Sequence, residues 1–410
     1  MTVLDREIPQ PAALEGILRT ITERLARELG APTQAAPDWS EFEWIAARAV
    51  AAMHGVSPLL SRALRWQGPA DWTRFLDEQR AHTAKRHGRI DDLLLRLDQR
   101  AREAGVGAVA LKGVALHAFG VYPAGDRPMA DVDLLVRPAD APRTAKMLES
   151  LGFTESFKTW KECVFSRADE QKPAALGEHG KNGIKIELHE RICEKLPSRI
   201  TDISEHVFPP QLLPGLNVYP SKASLMIHLL LHAAGAMAFQ SLRLLHLHDL
   251  ARLSPELTEE DWNVVLEAGE RGGRPWWAFP PLSLTSRYFP SKIPDWVLAE
   301  TADHCPYLLK STVRRRTLCD VSYSHLWVDA FPGMEWSQSL LEVLEFVANR
   351  VRPSTRHVAF RARTATSEAW ANQDQWARLS QSRRILRWIT SRPTRPVTMH
   401  AVRAAFAQAQ

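Results

Sequence analysis

Residues 111–136 read LKGVALHAFGVYPAGDRPMADVDLLV, and this stretch decides the fold. Its last six residues, DVDLLV, predict a strand, set off by a loop at 122–128 that holds two prolines and a glycine. Side chains alternate along a strand, so Asp131 and Asp133 leave one face together while Val132 and Leu134 leave the other for the core. Two adjacent carboxylates repel, and each is costly to strip of water unless a cation neutralises them. Magnesium suits the pair, because it takes oxygen ligands and usually binds substrate phosphates as well. An isolated Asp-x-Asp is more often a capping or edge-strand pair. The context shifts this one toward metal. A third acid, Glu187, lies on the alternating run IKIELH at 184–189, where Ile186 and Leu188 point inward and leave Glu187 to join the acidic face.

The start of the stretch has its own logic. Residues 106–111 (VGAVAL) predict a buried strand, followed by the Lys112-Gly113 turn and a short helix at 114–119. Gly113 lets backbone amides approach a ligand, and a helix start favours an anion. Lys112 is placed to offer positive charge to a triphosphate, and Arg127 to do the same with a forked geometry.

Outward from there, residues 140–151 predict a helix with Asp140 as its N-cap and Gly152 as its stop. Strands follow at 153–157 and 163–165. The polar segment 168–183, with Pro173, Gly177, Gly180 and Gly183, reads as a long hairpin loop. Upstream, residues 42–53 and 81–104 carry helical periodicity, with 71–80 in the same bundle. Downstream, a Pro-rich link at 208–220 (FPPQLLPGLNVYP) leads into helices. The most apolar run, 225–239, is short for a bilayer and contains His228 and His232, so it reads as a buried helix. From Lys310 onward 16 basic side chains face 7 acidic ones, as solvated helix faces, and fraying is expected after Arg392.

The 410-residue composition, 45% hydrophobic and 24% charged, excludes a disordered or fibrous chain. A net charge of +5 suits anionic ligands without pointing to nucleic acid. Four cysteines with no CxxC pair argue against structural zinc and suit a reducing cytoplasm. The N-terminus carries early acids and no apolar h-region, so no signal peptide is expected.

Over about residues 40–350, most strongly from Lys112 to Asp249, the chain resembles a bacterial nucleotidyltransferase family within the superfamily that includes DNA polymerase beta and the aminoglycoside nucleotidyltransferases. The resemblance rests on Lys112-Gly113, Arg127, residues 131–136, Leu151-Gly152-Phe153 and Glu187-Leu188-His189. Two downstream helical patterns, at 229–232 and 247–251, add to it. One departure is the Lys-Gly turn, which stands where Gly-Ser or Gly-Gly is usual. The resemblance implies a mixed sheet bearing Asp131, Asp133 and Glu187 as ligands of two magnesium ions. It also implies in-line transfer of a nucleotidyl group from a nucleoside triphosphate such as ATP to an acceptor hydroxyl or phosphate. Asp249 would be a general base on the acceptor. His189 would touch phosphate or metal, or hold Glu187 in place.

The expectation is an α+β protein: a helical region at 1–104, a nucleotidyltransferase core at 105–208, a helical domain at 209–350 and a basic extension at 351–410. The partners expected are a nucleoside triphosphate and a small-molecule or peptide acceptor, with no membrane. Three rivals remain: a tailoring transferase acting on a ribosomally made peptide, a non-catalytic nucleotide-binding or partner-binding module, and a nucleic-acid binder supported only by the basic C-terminal region. His228, His232 and Asp249 could make a zinc site, but a buried histidine bonded to an acid is commoner. Arg314, Arg315 and Arg316 read as a helix face or domain contact rather than a nucleic-acid footprint.

Overall fold

The computed structural model describes residues 8–167, 176–270, 273–353 and 379–409. The fold is α+β. Its main sheet uses β1 (Gly107–Ala110), β2 (Asp131–Val136), β3 (Thr154–Lys158), β4 (Glu162–Ser166), β5 (Lys185–His189) and a later strand, Gly215–Asn217. A small hairpin, β6 (Cys193–Leu196) and β7 (Arg199–Asp202), stands apart, which makes Gly215–Asn217 β8. The sheet order is β3-β4-β5-β2-β1-β8. β2 runs parallel to β5 and β1 parallel to β8, while the other pairings are antiparallel. β8 lies inside the Pro-rich segment read as a link, and Gly215 enables it with a φ of 112°.

Alternation on β2 splits the core. Val132, Leu134 and Val136 pack with Ile186, Leu188 and with Ile90, Leu93 and Leu97 of a 34-residue helix, Ala70–Glu103. The opposite face carries Asp131, Asp133 and Leu135, and Leu135 joins the larger core with the helix Lys222–Ala238. A strand buried on both faces and bearing two acids needs its charges answered from within the fold.

The segments 71–80 and 81–104 are one continuous helix rather than two pieces of a bundle. Lys222–Ala238 is the buried helix expected from the apolar run, capped by Ser221. Among the described residues no helix is long and apolar enough to cross a membrane. Two expectations fail. Asp140 makes no capping bond to the helix Ala141–Ser150; its carboxylate takes Arg143 instead, at 2.9 Å. The chain after Arg392 does not fray: helix Pro396–Ala407 buries Val402, Ala405 and Phe406 against the helix Glu41–Met53, with the Phe406 and Phe42 rings 6.2 Å apart. Part of the expected hairpin loop, 168–175, and residues 354–378 of the basic extension lie outside the described residues.

Candidate active site

The parallel pairing of β2 with β5 sets Asp131 opposite Lys185, Asp133 opposite Glu187 and Leu135 opposite His189. Like-facing residues therefore form an acidic strip across two strands, and β4 adds Glu162 opposite His189. Asp133, Glu187 and His189 each offer a ligand atom, and these atoms lie within 4.8 Å of one another. His189 Nε2 is 3.1 Å from Asp133 Oδ1 and 3.9 Å from Glu187 Oε2.

Lys112 answers part of this charge. Its Nζ donates to Asp133 Oδ1 at 2.7 Å. The residue holds a left-handed φ of 45°, a conformation that costs a non-glycine residue roughly 1–2 kcal/mol. Its backbone N–H donates to Tyr219 Oη at 3.2 Å, and that hydroxyl sits 2.6 Å from His228 Nδ1. The turn therefore points Lys112 at the acids. Gly113 is required for crowding: a Cβ there would lie 2.5 Å from Arg127 Nη1 and 2.9 Å from the Met129 side chain.

The electrostatics leave the site short of positive charge. Burial works against ionising Asp133, but Lys112 and His189 outweigh it and hold its carboxyl well below the usual range. Burial and the Asp133 charge push Asp131 up. Burial together with Asp131 and Asp133 pushes Glu187 up to about 9. Lys112 is partly buried, which works against its charge, yet Asp133, Glu187 and Asp131 keep it charged beyond the ordinary lysine range. Oxygen donors in an under-neutralised cluster fit a hard divalent cation.

Arg127 and Asp249 meet each other. Arg127 Nε and Nη2 donate to the two Asp249 oxygens at 2.8 and 2.7 Å, and Tyr122 Oη donates to Oδ1 at 2.8 Å. Both charged residues are buried, and the pair ties the loop before β2 to the helix Leu244–Leu253. The structure thus places neither group on the acid strip, although Arg127 is near enough to draw the Asp131 carboxyl downward. His228, His232 and Asp249 do not converge: His228 takes Tyr219, and His232 Nδ1 lies 3.6 Å from Glu194.

Two contributors escaped the sequence reading. Arg86, buried on the helix Ala70–Glu103, donates to the carbonyls of Met129 and Ala130 at 2.7 and 2.6 Å, and of Asn182 and Gly183 at 2.7 Å each. It pins the entries of β2 and β5 side by side. An arginine on the stripe Thr83, Ile90, Leu93 and Leu97 was the available signal. Glu178 is the other. Burial raises its carboxyl, Arg86 and Arg243 lower it, and the Asp131 charge reaches it. The Gln79 side chain brackets its backbone, accepting from its N–H at 2.6 Å and donating to its carbonyl at 3.1 Å.

No curated protein and no solved structure gives a significant match to the chain. A family model described as an uncharacterised nucleotidyltransferase matches residues 40–290, a span that holds Arg86, Lys112, the acid strip and Asp249. The chain belongs to that uncharacterised nucleotidyltransferase family.

Proposed function

We propose that this chain moves a nucleotidyl group from a nucleoside triphosphate to an acceptor hydroxyl or phosphate. The observation that carries this reading is the parallel register of β2 and β5. In a chain of this family, it puts the Asp133 and Glu187 carboxylates on one strip beside Asp131.

Asp131, Asp133 and Glu187 would hold magnesium. When bound, the metal supplies positive charge to the triphosphate and lowers the barrier to attack by the acceptor oxygen. The chain's own residues do the rest. Lys112 fixes Asp133 and keeps one positive charge in the strip. His189 orients Asp133 through Nε2. Arg86 holds the two acid-bearing strands in register from their entries. Arg127 and Asp249 fasten the loop before β2 to the neighbouring helix, so we assign Asp249 to anchoring rather than to proton abstraction. Such a site works mainly by positioning and charge neutralisation.

The test is to incubate the purified protein with each of the four ribonucleoside triphosphates and magnesium. Pyrophosphate is assayed, and candidate peptides or small molecules are weighed by mass spectrometry. Magnesium-dependent pyrophosphate release that disappears in Asp133→Asn supports the reading. Equal release by wild type and variant, or nucleotide binding with no turnover on any acceptor class, overturns it.

A further inference from the structure

Resting on the metal-dependent reading above, we infer that Lys112 permanently occupies the place of a second metal ion, so that the acid strip takes one divalent cation rather than two. Three observations point this way.

The first is occupancy. Asp133 Oδ1 already carries the Lys112 ammonium at 2.7 Å and His189 Nε2 at 3.1 Å. The oxygens left for a cation are the other Asp133 oxygen and the carboxylates of Asp131 and Glu187. Among the described residues, Asp133, Glu187 and His189 form the candidate metal cluster.

The second is charge. Three carboxylates confront one part-buried ammonium on the strip, held at 2.7 Å on Asp133, while Arg243 and Arg127 act on Asp131 from outside it. With all three ionised, the surplus is two negative charges, which one divalent ion neutralises. A second ion would leave the buried site positive before any substrate arrives.

The third is backbone geometry. Lys112 is one of three described non-glycine residues at positive φ, and the one of the three whose side chain ends on an acid of the strip. Tyr219 accepts its N–H, which fixes the turn in that conformation. Strain held by surrounding contacts and aimed at a cluster of charge is the pattern of a built-in group, not of a surface lysine free to leave.

The experiment counts Mn2+ per chain by native mass spectrometry of the full-length protein, with and without a non-hydrolysable nucleoside triphosphate. One ion in both samples is expected for the wild type. Lys112→Gln should take two ions in the presence of the nucleotide analogue, and Lys112→Arg, which keeps the charge, should stay at one. Two ions on the wild-type complex overturn the inference while leaving the proposed function intact. A count that stays at one in Lys112→Gln, with circular dichroism unchanged, also overturns it. No ion on the wild type under either condition overturns this inference and the metal-dependent reading together.

Discussion

The chain buries two groups of charge close to one another, and it balances them differently. Arg127 and Asp249 are matched one to one, with two parallel hydrogen bonds and a third from Tyr122. On the strip, Asp131, Asp133 and Glu187 have one ammonium among them. The first arrangement is complete and holds two parts of the fold together. The second is incomplete: burial and the neighbouring acids shift Asp131 and Glu187 upward although Lys112 draws both down. A buried charge cluster therefore reveals its role by its surplus: neutral clusters fasten, and unbalanced ones bind.

The largest expected effect breaks the fastened side. Asp249→Ala leaves the Arg127 guanidinium buried without its partner, and urea unfolding should show a loss of about 3–5 kcal/mol. The double variant Arg127→Met with Asp249→Leu should recover most of it. Full stability in Asp249→Ala, accompanied by lost turnover, would instead make Asp249 a base and erase the contrast.

Next comes the unbalanced side. Asp133→Asn should lower nucleotidyl transfer by at least about a hundredfold, because even outer partners of a metal site typically cost ten- to a hundredfold. Asp131→Asn should also lose turnover, yet melt at a higher temperature than wild type in metal-free buffer, since it removes repulsion. A lower melting temperature would show that the strip is already balanced without metal.

A third measurement sharpens the comparison through ligand linkage. Magnesium at about a hundred times its Kd should stabilise the wild type by about 2.7 kcal/mol. Asp249→Ala should keep that increment despite its lower baseline, whereas Glu187→Gln should lose most of it. Equal increments in both variants would disconnect Glu187 from the metal.

The smallest effect, taken per pH unit, is a slope with pH. The Glu187 carboxyl sits at about 9 in the fold against 4.5 as its ordinary value. Its contribution to metal-free stability is therefore complete below 4.5 and is lost as pH rises through about 9. The steepness cannot exceed about 1.4 kcal/mol per pH unit for one group. Glu187→Gln should flatten the stability curve across that window, and parallel curves for variant and parent would refute the assignment.

The strip was legible because alternation on a strand is a local rule: Asp131, Asp133 and Glu187 declare their faces through Val132, Leu134, Ile186 and Leu188. Their placement on one side of the sheet, which the family resemblance implied, depends on a parallel pairing between segments more than fifty residues apart that alternation alone does not give. Arg127 and Asp249 were each noticed and each given a separate ligand. Nothing local says that two side chains 122 residues apart will choose one another. Lys112 was noticed for its charge, but the left-handed turn that aims it at Asp133 is a backbone property its letter does not show. The C-terminal helix was misread because fraying is the default for a chain end, and its docking partner lies at the other end of the sequence.

The Arg86 clamp has a consequence for how this site could be moved or trimmed. The acids lie on β2 and β5, but the guanidinium that brings the entries of these strands together comes from a helix beginning at Ala70. The smallest transplantable piece therefore starts upstream of the first strand of the sheet. An excision at residue 105 would carry every acid and leave behind the part that sets the distance between them. The family match beginning at residue 40 spans that helix. Inherited as a block, the long helix serves as the jig on which the site is assembled, and a graft of the sheet alone would keep the chemistry's letters while losing its spacing.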